Sequence, residues 1–399
     1  MRNLSMMLLV AAMAVILPRN FVQAQTFTTL YTFTGSTEGG EPAGGLISDS
    51  QDDLYGTTEG TPQTPFGTVF EMSPLGGNWT LNTLYTFQDY GDGSYPVANL
   101  VFDTLGNLYG TTAQGGKGYG TVFELSPNGS GGWHKSEIYQ FQGGTDGANP
   151  ISSLVIDGAG NLYGTTLLGG LGLGTVFELT PVAGGWTETV LHRFGIFTGP
   201  EGGLVFDAKG NLYGTADGGG PSGCGAVFEM TRAPSGWNFM TLHAFKCGSD
   251  GASPAQATLV FDSLGRIYGT TASGGAFKDG VVYVLTRRSS GGWANRVIHN
   301  FKGADGSTPY VGVTLDTAGN VYGTTQGGGN LNCVGGCGVA YKLTATSSTS
   351  WTNSILHNFT GADGEYPSPL LLDGVGDLFG TTVEGGAGNV GTVFEITPN

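Results

Sequence analysis

The chain repeats one short motif seven times along 399 residues: an aromatic residue that follows Leu, Ile or Val and is followed by Gly and Thr. Successive copies are 54, 54, 50, 55, 54 and 57 residues apart, so the repetition spans most of the chain. A period near 54 residues is too long for one coil of a solenoid and is typical of a propeller blade with four short strands. The repeat therefore predicts seven blades. The copies begin at Tyr55, Tyr109, Tyr163, Tyr213, Tyr268, Tyr322 and Phe379.

The second repeat illustrates the strand pattern predicted for every blade. Residues 98–103 (ANLVFD) predict an inner strand A that is apolar on both faces, and residues 108–112 (LYGTT) predict strand B. Residues 120–126 (GTVFELS) predict strand C, and residues 133–141 (WHKSEIYQF) predict strand D. Apolar spacing of three and four residues never persists without a Gly, so no helix is predicted.

The two ends of the chain predict how the ring closes. Residues 26–33 (TFTTLYTF) match strand D with no A, B or C before them, and the last repeat stops after its strand C. The first strand can therefore complete the last blade, near Val393 to Ile396, which removes the open edges. The predicted fold class is all-β: a seven-bladed β-propeller of four-stranded blades over residues 25–399, closed by the N-terminal strand.

The recurring block G-N-L-Y-G-T-T…G-G…G-T-V-F-E-L, as at residues 160–179, resembles the GloVer tandem repeat of exported bacterial proteins. The resemblance covers nearly all of the chain after the first 24 residues. Members of this "choice-of-anchor" family often carry a C-terminal surface anchor, whereas this chain ends at Pro398-Asn399 directly after strand C, which counts against attachment by that route. The family has no established activity that can be carried over residue by residue.

Residues 1–24 are predicted to be a signal peptide. Arg2 supplies a basic start, residues 6–17 form an apolar run, and Val22-Gln23-Ala24 is a small-residue cleavage site. The apolar run is shorter than a membrane span, so cleavage is favoured over the alternative, an uncleaved anchor. We therefore expect a secreted or periplasmic protein that does not insert into the membrane after cleavage.

Removal of that segment leaves 31 acidic and 13 basic residues, a net charge of −18. A chain this acidic repels phosphate backbones and anionic lipid headgroups, which argues against nucleic acids and membrane surfaces as partners. The remaining partner classes are an extracellular glycan, a small molecule or a protein. We expect the chain itself to be a monomer.

Four of the five histidines share one position in strand D, two residues before a Phe, where other repeats have Tyr. Tyr and His each have an apolar body and a polar tip, so we interpret the position as packing in the outermost strand. Tryptophans begin six D strands, and we expect them to share a strand face with the Tyr or His and the Phe. The histidines are His192, His243, His299 and His357.

Acidic residues recur at two further positions. Strand C carries Glu in five blades; paired carboxylates can hydrolyse glycosides, but these belong to different blades, so structural pairing or exposure is preferred. The turn between strands A and B carries Asp in every repeat, which is interpreted as a turn residue. The strand C residues are Glu71, Glu124, Glu178, Glu229 and Glu395. The turn residues are Asp49, Asp103, Asp157, Asp207, Asp262, Asp316 and Asp373.

The loop from strand D to the next strand A contains Asp-Gly in five repeats, at Asp92, Asp146, Asp250, Asp305 and Asp363. Turn chemistry explains the pair, because Asp accepts local backbone hydrogen bonds and Gly allows a positive φ. Calcium binding is the alternative, although no loop has the dense D-x-[DN]-x-[DN]-G ligand run. These five acids are also the candidates for a ligand-binding face.

Loops B–C and D–A lie at the same end of a blade, because successive strands alternate in direction. They include the most variable segments, at residues 58–66, 195–203 and 326–337, whereas the A–B turns are short and nearly constant. Binding usually resides in variable loops held on a rigid scaffold. We therefore expect a neutral or cationic ligand to dock on this B–C/D–A face, near the mouth of the central channel.

Export permits disulfides. Cys224 directly precedes a strand C and Cys247 follows the adjacent strand D, so these two are predicted to pair. Cys333 and Cys337 share one B–C loop and are predicted to pair with each other. The alternative, a four-thiolate zinc site, would require two separate blades to meet.

No sequence motif predicts a catalytic mechanism, a metal or a cofactor, because the P-loop, G-x-S-x-G and H-E-x-x-H patterns are absent. The leading hypothesis is an exported propeller that binds or scaffolds without catalysis of its own. The alternative is an extracellular hydrolase or lyase that acts on polysaccharide or a small secreted compound at the central channel. The first is preferred because uniform repeats leave few blade-specific polar residues for an asymmetric site.

Overall fold

A computed structural model describes residues 25–195, 199–234, 236–254 and 256–398, so the predicted signal peptide lies outside the described residues. The described residues form seven antiparallel sheets, which are the blades, numbered here in chain order by their strands B. None of these residues forms a helix that is long and apolar enough to cross a membrane. The predicted all-β, seven-bladed propeller is confirmed.

Each blade contains four strands in the order A, B, C, D. Strands A are Ile47–Ser48, Val101–Phe102, Val155–Ile156, Val205–Phe206, Val260–Phe261, Thr314–Leu315 and Leu371–Leu372. Strands B are Leu54–Thr58, Leu108–Thr112, Leu162–Thr166, Leu212–Ala216, Ile267–Thr271, Val321–Thr325 and Leu378–Glu384. Strands C are Thr68–Leu75, Thr121–Pro127, Thr175–Val182, Ala226–Ala233, Val281–Arg287, Val339–Ala345 and Thr392–Thr397. Strands D are Asn78–Thr86, Trp133–Gln140, Gly185–Arg193, Gly236–Ala244, Trp293–Asn300, Trp351–Asn358 and, for blade 7, Thr26–Thr32. A further short strand, Glu365–Pro367, pairs with strand B of blade 7.

Strand A is shorter than the sequence predicted. In blade 2 the prediction covered residues 98–103, but only Val101–Phe102 pairs with strand B. The residues just before it bond to blade 1 instead: the carbonyl of Ala98 accepts from Thr57, and Oδ1 of Asn99 accepts from the backbone of Gly45. The apolar pattern therefore marked a segment that is buried between blades, of which only the end is a strand.

The N-terminal strand closes the ring. Thr26–Thr32 pairs antiparallel with Thr392–Thr397, in a register that sets Phe27 opposite Ile396 and Tyr31 opposite Val393. The predicted closure is confirmed. The last strand C is paired on both sides, so it offers no open edge to another chain.

The repeated Gly-Thr of strand B is explained by contacts on two sides. In blade 2 a Cβ at Gly110 would lie 2.5 Å from Cζ of the buried Phe123, so only glycine leaves room for that ring. The following Thr donates a hydrogen bond to a carbonyl of the next blade, which ties neighbouring blades together. The threonines that do so are Thr57, Thr111, Thr165, Thr215, Thr270, Thr324 and Thr381.

In blades 1 to 4 the tyrosine of the same motif lies between two of the recurring acids. In blade 3 the hydroxyl of Tyr163 is 3.0 Å from Oδ2 of Asp157 in the A–B turn and 2.6 Å from Oε1 of Glu178 in strand C. The aspartate also accepts from the backbone N–H groups of Ala159 and Asn161 in its own turn. The structural interpretation of these two acidic positions is confirmed.

Apolar side chains fill the interfaces between neighbouring blades, and strand D contributes to two of them. Trp79 packs towards blade 7, with its ring 5.9 Å from that of Phe379, whereas Tyr85 and Phe87 pack towards blade 2. A bulge opposite Val69 and Phe70 of strand C separates the two parts of strand D. The expectation that the tryptophan shares a face with the later aromatics is therefore wrong, because the extra residue of a bulge reverses the alternation of side chains.

Candidate functional site

The five candidate ligand-face aspartates each bond to strand D of their own blade. The partner is the Tyr or His that precedes the strand-end Phe by two residues, so two repeat positions that were interpreted separately form one contact. The pairs are Tyr85–Asp92 at 2.8 Å, Tyr139–Asp146 at 2.7 Å, His243–Asp250 at 3.3 Å, His299–Asp305 at 3.2 Å and His357–Asp363 at 2.9 Å.

These aspartates also bond within their own turns. Oδ1 of Asp363 accepts from the backbone N–H of Thr360 at 2.7 Å and from its hydroxyl at 2.8 Å. Burial alone would raise the pKa of Asp363, but the hydrogen bonds from His357 and Thr360 hold it below its usual value. The five aspartates do not lie together, and none lines the central channel among the described residues. Their role in ligand binding stays a prediction.

The next blade adds a third side chain to four of these pairs, all except His357–Asp363, from the position two residues after the tryptophan. Nζ of Lys135 lies 2.8 Å from Oδ1 of Asp92, which balances the charge there. Blade 3 has Glu188 at the equivalent position, beside Asp146, and its buried Oε1 has no hydrogen-bond partner in the described part of the chain. Burial, helped by the charge of Asp146 and opposed by Arg193, raises the pKa of Glu188 to about 7.

A funnel opens at the centre of the B–C/D–A face. Its mouth has a volume of about 600 Å³ and continues into a neck of about 30 Å³. An apolar collar of Ala43, Val97, Ile151 and Val311 lines both parts, and the polar Gln256 also borders both. No described residue that lines either part is basic. The mouth is also lined by Glu59, Tyr95, Gln114, Tyr310, Gln326 and Tyr366.

Much of the wall of the mouth comes from two repeat positions. One directly follows the Thr-Thr of strand B, and the other directly precedes the Pro of the D–A loop. A backbone hydrogen bond joins them, as from Glu59 to Glu41 at 3.0 Å and from Ala113 to Tyr95 at 2.9 Å. Both positions vary between blades. The first holds Glu59, Ala113, Leu167, Asp217, Ala272, Gln326 and Val383.

The position before the proline has a left-handed backbone in six blades. The φ values are 57° at Glu41, 58° at Tyr95, 55° at Asn149, 56° at Ser253, 54° at Thr308 and 54° at Tyr366. A side chain in this conformation costs about 1 kcal/mol relative to glycine. Two of these six side chains, Tyr95 and Tyr366, line the mouth of the funnel.

One acidic group lies where blades 7 and 1 meet. Burial raises the pKa of Glu59, and the charge of Glu41 raises it further. Burial likewise raises the pKa of Glu41, with a contribution from Glu384 of blade 7. The group therefore concentrates negative charge on one side of the mouth.

A second acidic group lies across the channel. Glu201 lines the neck and precedes strand A of blade 4, which is three places from blade 1 in the ring. The hydroxyl of Tyr310, which precedes strand A of blade 6, donates to Oε2 of Glu201 at 3.1 Å. Burial and then the charge of Asp217 raise the pKa of Glu201, although this hydrogen bond opposes them. Oδ1 of Asp217 is buried and has no hydrogen-bond partner among the described residues.

Glu59, Glu201, Asp217 and Tyr310 belong to no sequence motif and were not predicted as site residues. The expectation that uniform repeats leave few blade-specific polar residues is wrong at the mouth of the channel. A signal was present at the position after each Thr-Thr or Thr-Ala pair of strand B, where Glu59 and Asp217 stand among Ala, Leu, Gln and Val. The blade does not require an acid at this position, because the other five blades have Ala, Leu, Gln or Val there.

The cysteines lie at the margin of the same face. The structure joins Cys224 to Cys247 and Cys333 to Cys337, so the predicted pairing is confirmed, and no cysteine in the described ranges is free. No group of three or more His, Cys, Asp or Glu in those ranges is arranged to hold a metal ion.

The family model described as the Gloeobacter/Verrucomicrobia repeat matches the chain three times, over residues 19–132, 117–264 and 255–399. The three matches together cover almost the whole sequence. No curated protein matches the chain.

Several solved structures resemble the fold. One is the extracellular domain of a candidate hybrid two-component system from B. thetaiotaomicron, with a TM-score of 0.57 and 12% identity over 92% of this chain and 39% of that chain. Another is a candidate 6-phosphogluconolactonase from Bacteroides uniformis, with a TM-score of 0.53 and 14% identity over 79% of this chain and 84% of that chain. At such identities the likeness shows the fold alone.

Proposed function

The chain belongs to the Gloeobacter/Verrucomicrobia repeat family, and we propose that it is an exported binding module that takes a ligand into the funnel on its B–C/D–A face. The observation that carries this proposal is a mouth of about 600 Å³ walled by side chains that differ from blade to blade. Ligand sites are typically concave and combine apolar walls with a few placed polar groups. Here the apolar collar and the Tyr, Gln and Glu side chains provide that combination.

Export is supported by two observations. The two disulfides suggest an oxidising compartment, since such bonds are rare in cytosolic proteins. One of the similar folds is the extracellular domain of a candidate sensor protein. We propose that the protein is secreted or periplasmic, and that residues 1–24 direct its export.

Binding is favoured over catalysis by the side chains at the funnel. Its described walls contain no His, Cys or Lys that could activate a nucleophile. Ser368, which lines the mouth, donates its hydroxyl hydrogen bond to the carbonyl of Thr381. The walls therefore offer recognition groups rather than a nucleophile with its base.

One observation favours the alternative, an extracellular hydrolase or lyase. Glu201 is an acid whose pKa is raised by burial and by Asp217, and such pairs can serve general acid catalysis. A panel of glycoside, ester and lactone substrates tests this. Turnover that is lost in Glu201→Gln, with folding unchanged, would establish catalysis.

The binding function is tested with a screen of glycans and small metabolites by thermal shift and calorimetry. Ala43 lies in the collar, so Ala43→Phe should obstruct the funnel and abolish binding of a ligand that the wild-type protein takes up. Leu105→Phe adds the same side chain at an exposed site in an A–B turn and should leave binding unchanged. A ligand that binds Ala43→Phe with the same affinity as the wild-type protein would contradict the proposal.

Loop exchanges test the choice of face. Replacement of residues 326–337, which include Gln326 at the mouth, should weaken binding of the identified ligand. Replacement of the 104–107 turn should have no effect, because that turn lies at the other end of the blade. Loss of binding only on the turn replacement would mean that the opposite face carries the site.

A further inference from the structure

The funnel has acids at two depths with an apolar collar between them. Glu59 lines the mouth, and Glu201 lines the neck. Ala43, Val97 and Ile151 line both parts, so they lie where the mouth narrows. A ligand that enters along the channel axis therefore meets a carboxylate, then apolar surface, then a second carboxylate.

The neck limits what can reach Glu201. Its volume of about 30 Å³ is small beside the 600 Å³ of the mouth and has room for only a few non-hydrogen atoms. An ammonium group is close to a water molecule in size, whereas a sugar ring is several times larger. Only a compact end group of a ligand fits beside Glu201.

The mouth favours a second positive charge. Glu59 lines the mouth with Glu41 close to it, and no described basic side chain lines the wall to neutralise Glu59. Tyr95, Tyr310 and Tyr366 line the same space, and aromatic rings attract cations. The net charge of −16 over the chain would also steer a cation towards the protein.

We propose that the funnel binds a linear primary diamine lengthwise, with one ammonium group beside Glu201 in the neck, the methylene chain against the collar and the other ammonium group beside Glu59. This inference rests on the proposed function, since it requires a ligand in the funnel. Each ammonium group forms charge-assisted hydrogen bonds with a carboxylate, and the methylene groups bury apolar surface. A monoamine satisfies one acid and leaves the other without a counter-charge.

Calorimetry with diamines from 1,3-diaminopropane to 1,8-diaminooctane tests the proposal. One chain length should bind best, because the distance between the two acids is fixed by the ring. n-Butylamine should bind about 10-fold more weakly than the best diamine, and 1,4-butanediol more weakly still. A monoamine that binds as tightly as every diamine, or no diamine binding at millimolar concentration, would overturn it.

Substitutions that remove one carboxylate charge at a time test whether Glu59 and Glu201 bind the two ammonium groups. Glu59→Gln and Glu201→Gln should each weaken binding of the best diamine by about 10-fold and bring its affinity close to that of the monoamine. Glu137→Gln removes an exposed acid of strand D in blade 2 and should leave the affinity unchanged. Equal binding by all three variants, with melting temperatures equal to wild type, would contradict the assignment of the two acids.

The Ala43→Phe variant separates this inference from the proposed function. A neutral ligand that binds the wild-type protein but not Ala43→Phe would contradict the proposal that the ligand is a diamine. The funnel would still be the binding site. Diamine binding that persists in Ala43→Phe would place the diamine elsewhere and contradict both. Diamine binding that is lost in Ala43→Phe and weakened in both charge variants supports both.

Discussion

Nε2 of His357 lies 2.9 Å from Oδ2 of Asp363, which joins strand D of blade 6 to the turn that follows it. Phe27 of the N-terminal strand stacks on the same imidazole, with ring centroids 3.6 Å apart. The imidazole of His357 therefore lies between blade 6 and the N-terminal strand that completes blade 7. It bonds to the turn through Asp363 and packs against the N-terminal strand through Phe27.

We expect Asp363→Asn to lower the free energy of unfolding by about 1–3 kcal/mol near neutral pH, because it weakens charged hydrogen bonds to His357 and Thr360. The pKa of Asp363 is lower in the folded protein than in the unfolded chain, so its contribution is present above pH 3.8 and is lost as the pH falls below it. Urea denaturation at pH 6.5 and pH 3 measures both effects. Asp52→Asn, at an exposed acid of an A–B turn, is the matched control. Equal stabilities of the two variants at pH 6.5 would contradict this role.

Ring closure predicts a cooperative effect of the first strand. A protein that begins at Gly35 lacks the strand that pairs with Thr392–Thr397 and exposes the edge of blade 7. We expect a lower melting temperature, a broader transition and a tendency to associate through that edge. Calorimetry and light scattering measure these changes against a protein that begins at Gln25. Unchanged melting of the shorter protein would mean that the strand is dispensable.

Glu188→Gln should stabilise the protein at high pH. The pKa of Glu188 is raised from 4.5 to about 7, so the folded state holds its proton more tightly than the unfolded chain. The free energy of unfolding of the wild-type protein therefore falls as the pH rises from 4.5 to about 7. Above that range the ionised carboxylate of Glu188 destabilises the folded state to its full extent. We expect a gain of about 1–2 kcal/mol at pH 8.5, after allowing for solvent screening of a half-buried group, and little gain at pH 4.5. Urea denaturation at the two pH values tests the sign, with Glu137→Gln as control. A gain that is the same at both pH values would exclude the charge as its cause.

The two disulfides should differ in their effect on stability. Cys224 and Cys247 are 23 residues apart, whereas Cys333 and Cys337 are 4 apart, so the first closes a longer loop in the unfolded chain. Chain entropy predicts losses of about 3 kcal/mol and about 2 kcal/mol on replacing each pair by Ser. Peptide mapping under non-reducing conditions checks the pairing, and urea denaturation checks the order of the two losses. Free thiols or crossed pairs would refute the assignment.

The strand pattern, the closure and the disulfides could be predicted because each depends on short stretches of sequence. Alternation, glycine and turn residues mark strands B, C and D within a few residues, and the unpaired D at one end matches the missing D at the other. Strand A was predicted too long, since apolar residues buried between blades have the same pattern as a strand. The face of strand D on which Trp79 lies was predicted wrongly. The bulge reverses the alternation of side chains, and nothing in the sequence indicates where a bulge occurs.

The sequence by itself determined the propeller. The same four-strand pattern occurs seven times, and strands that are adjacent in sequence pair with each other. Only the tertiary structure decided the candidate site. Glu59, Glu201 and Tyr310 lie more than 100 residues apart in sequence, and the ring brings them to one axis. Their burial, their mutual charge effects and the collar between them arise from closure of the ring, so no window of the sequence contains the funnel.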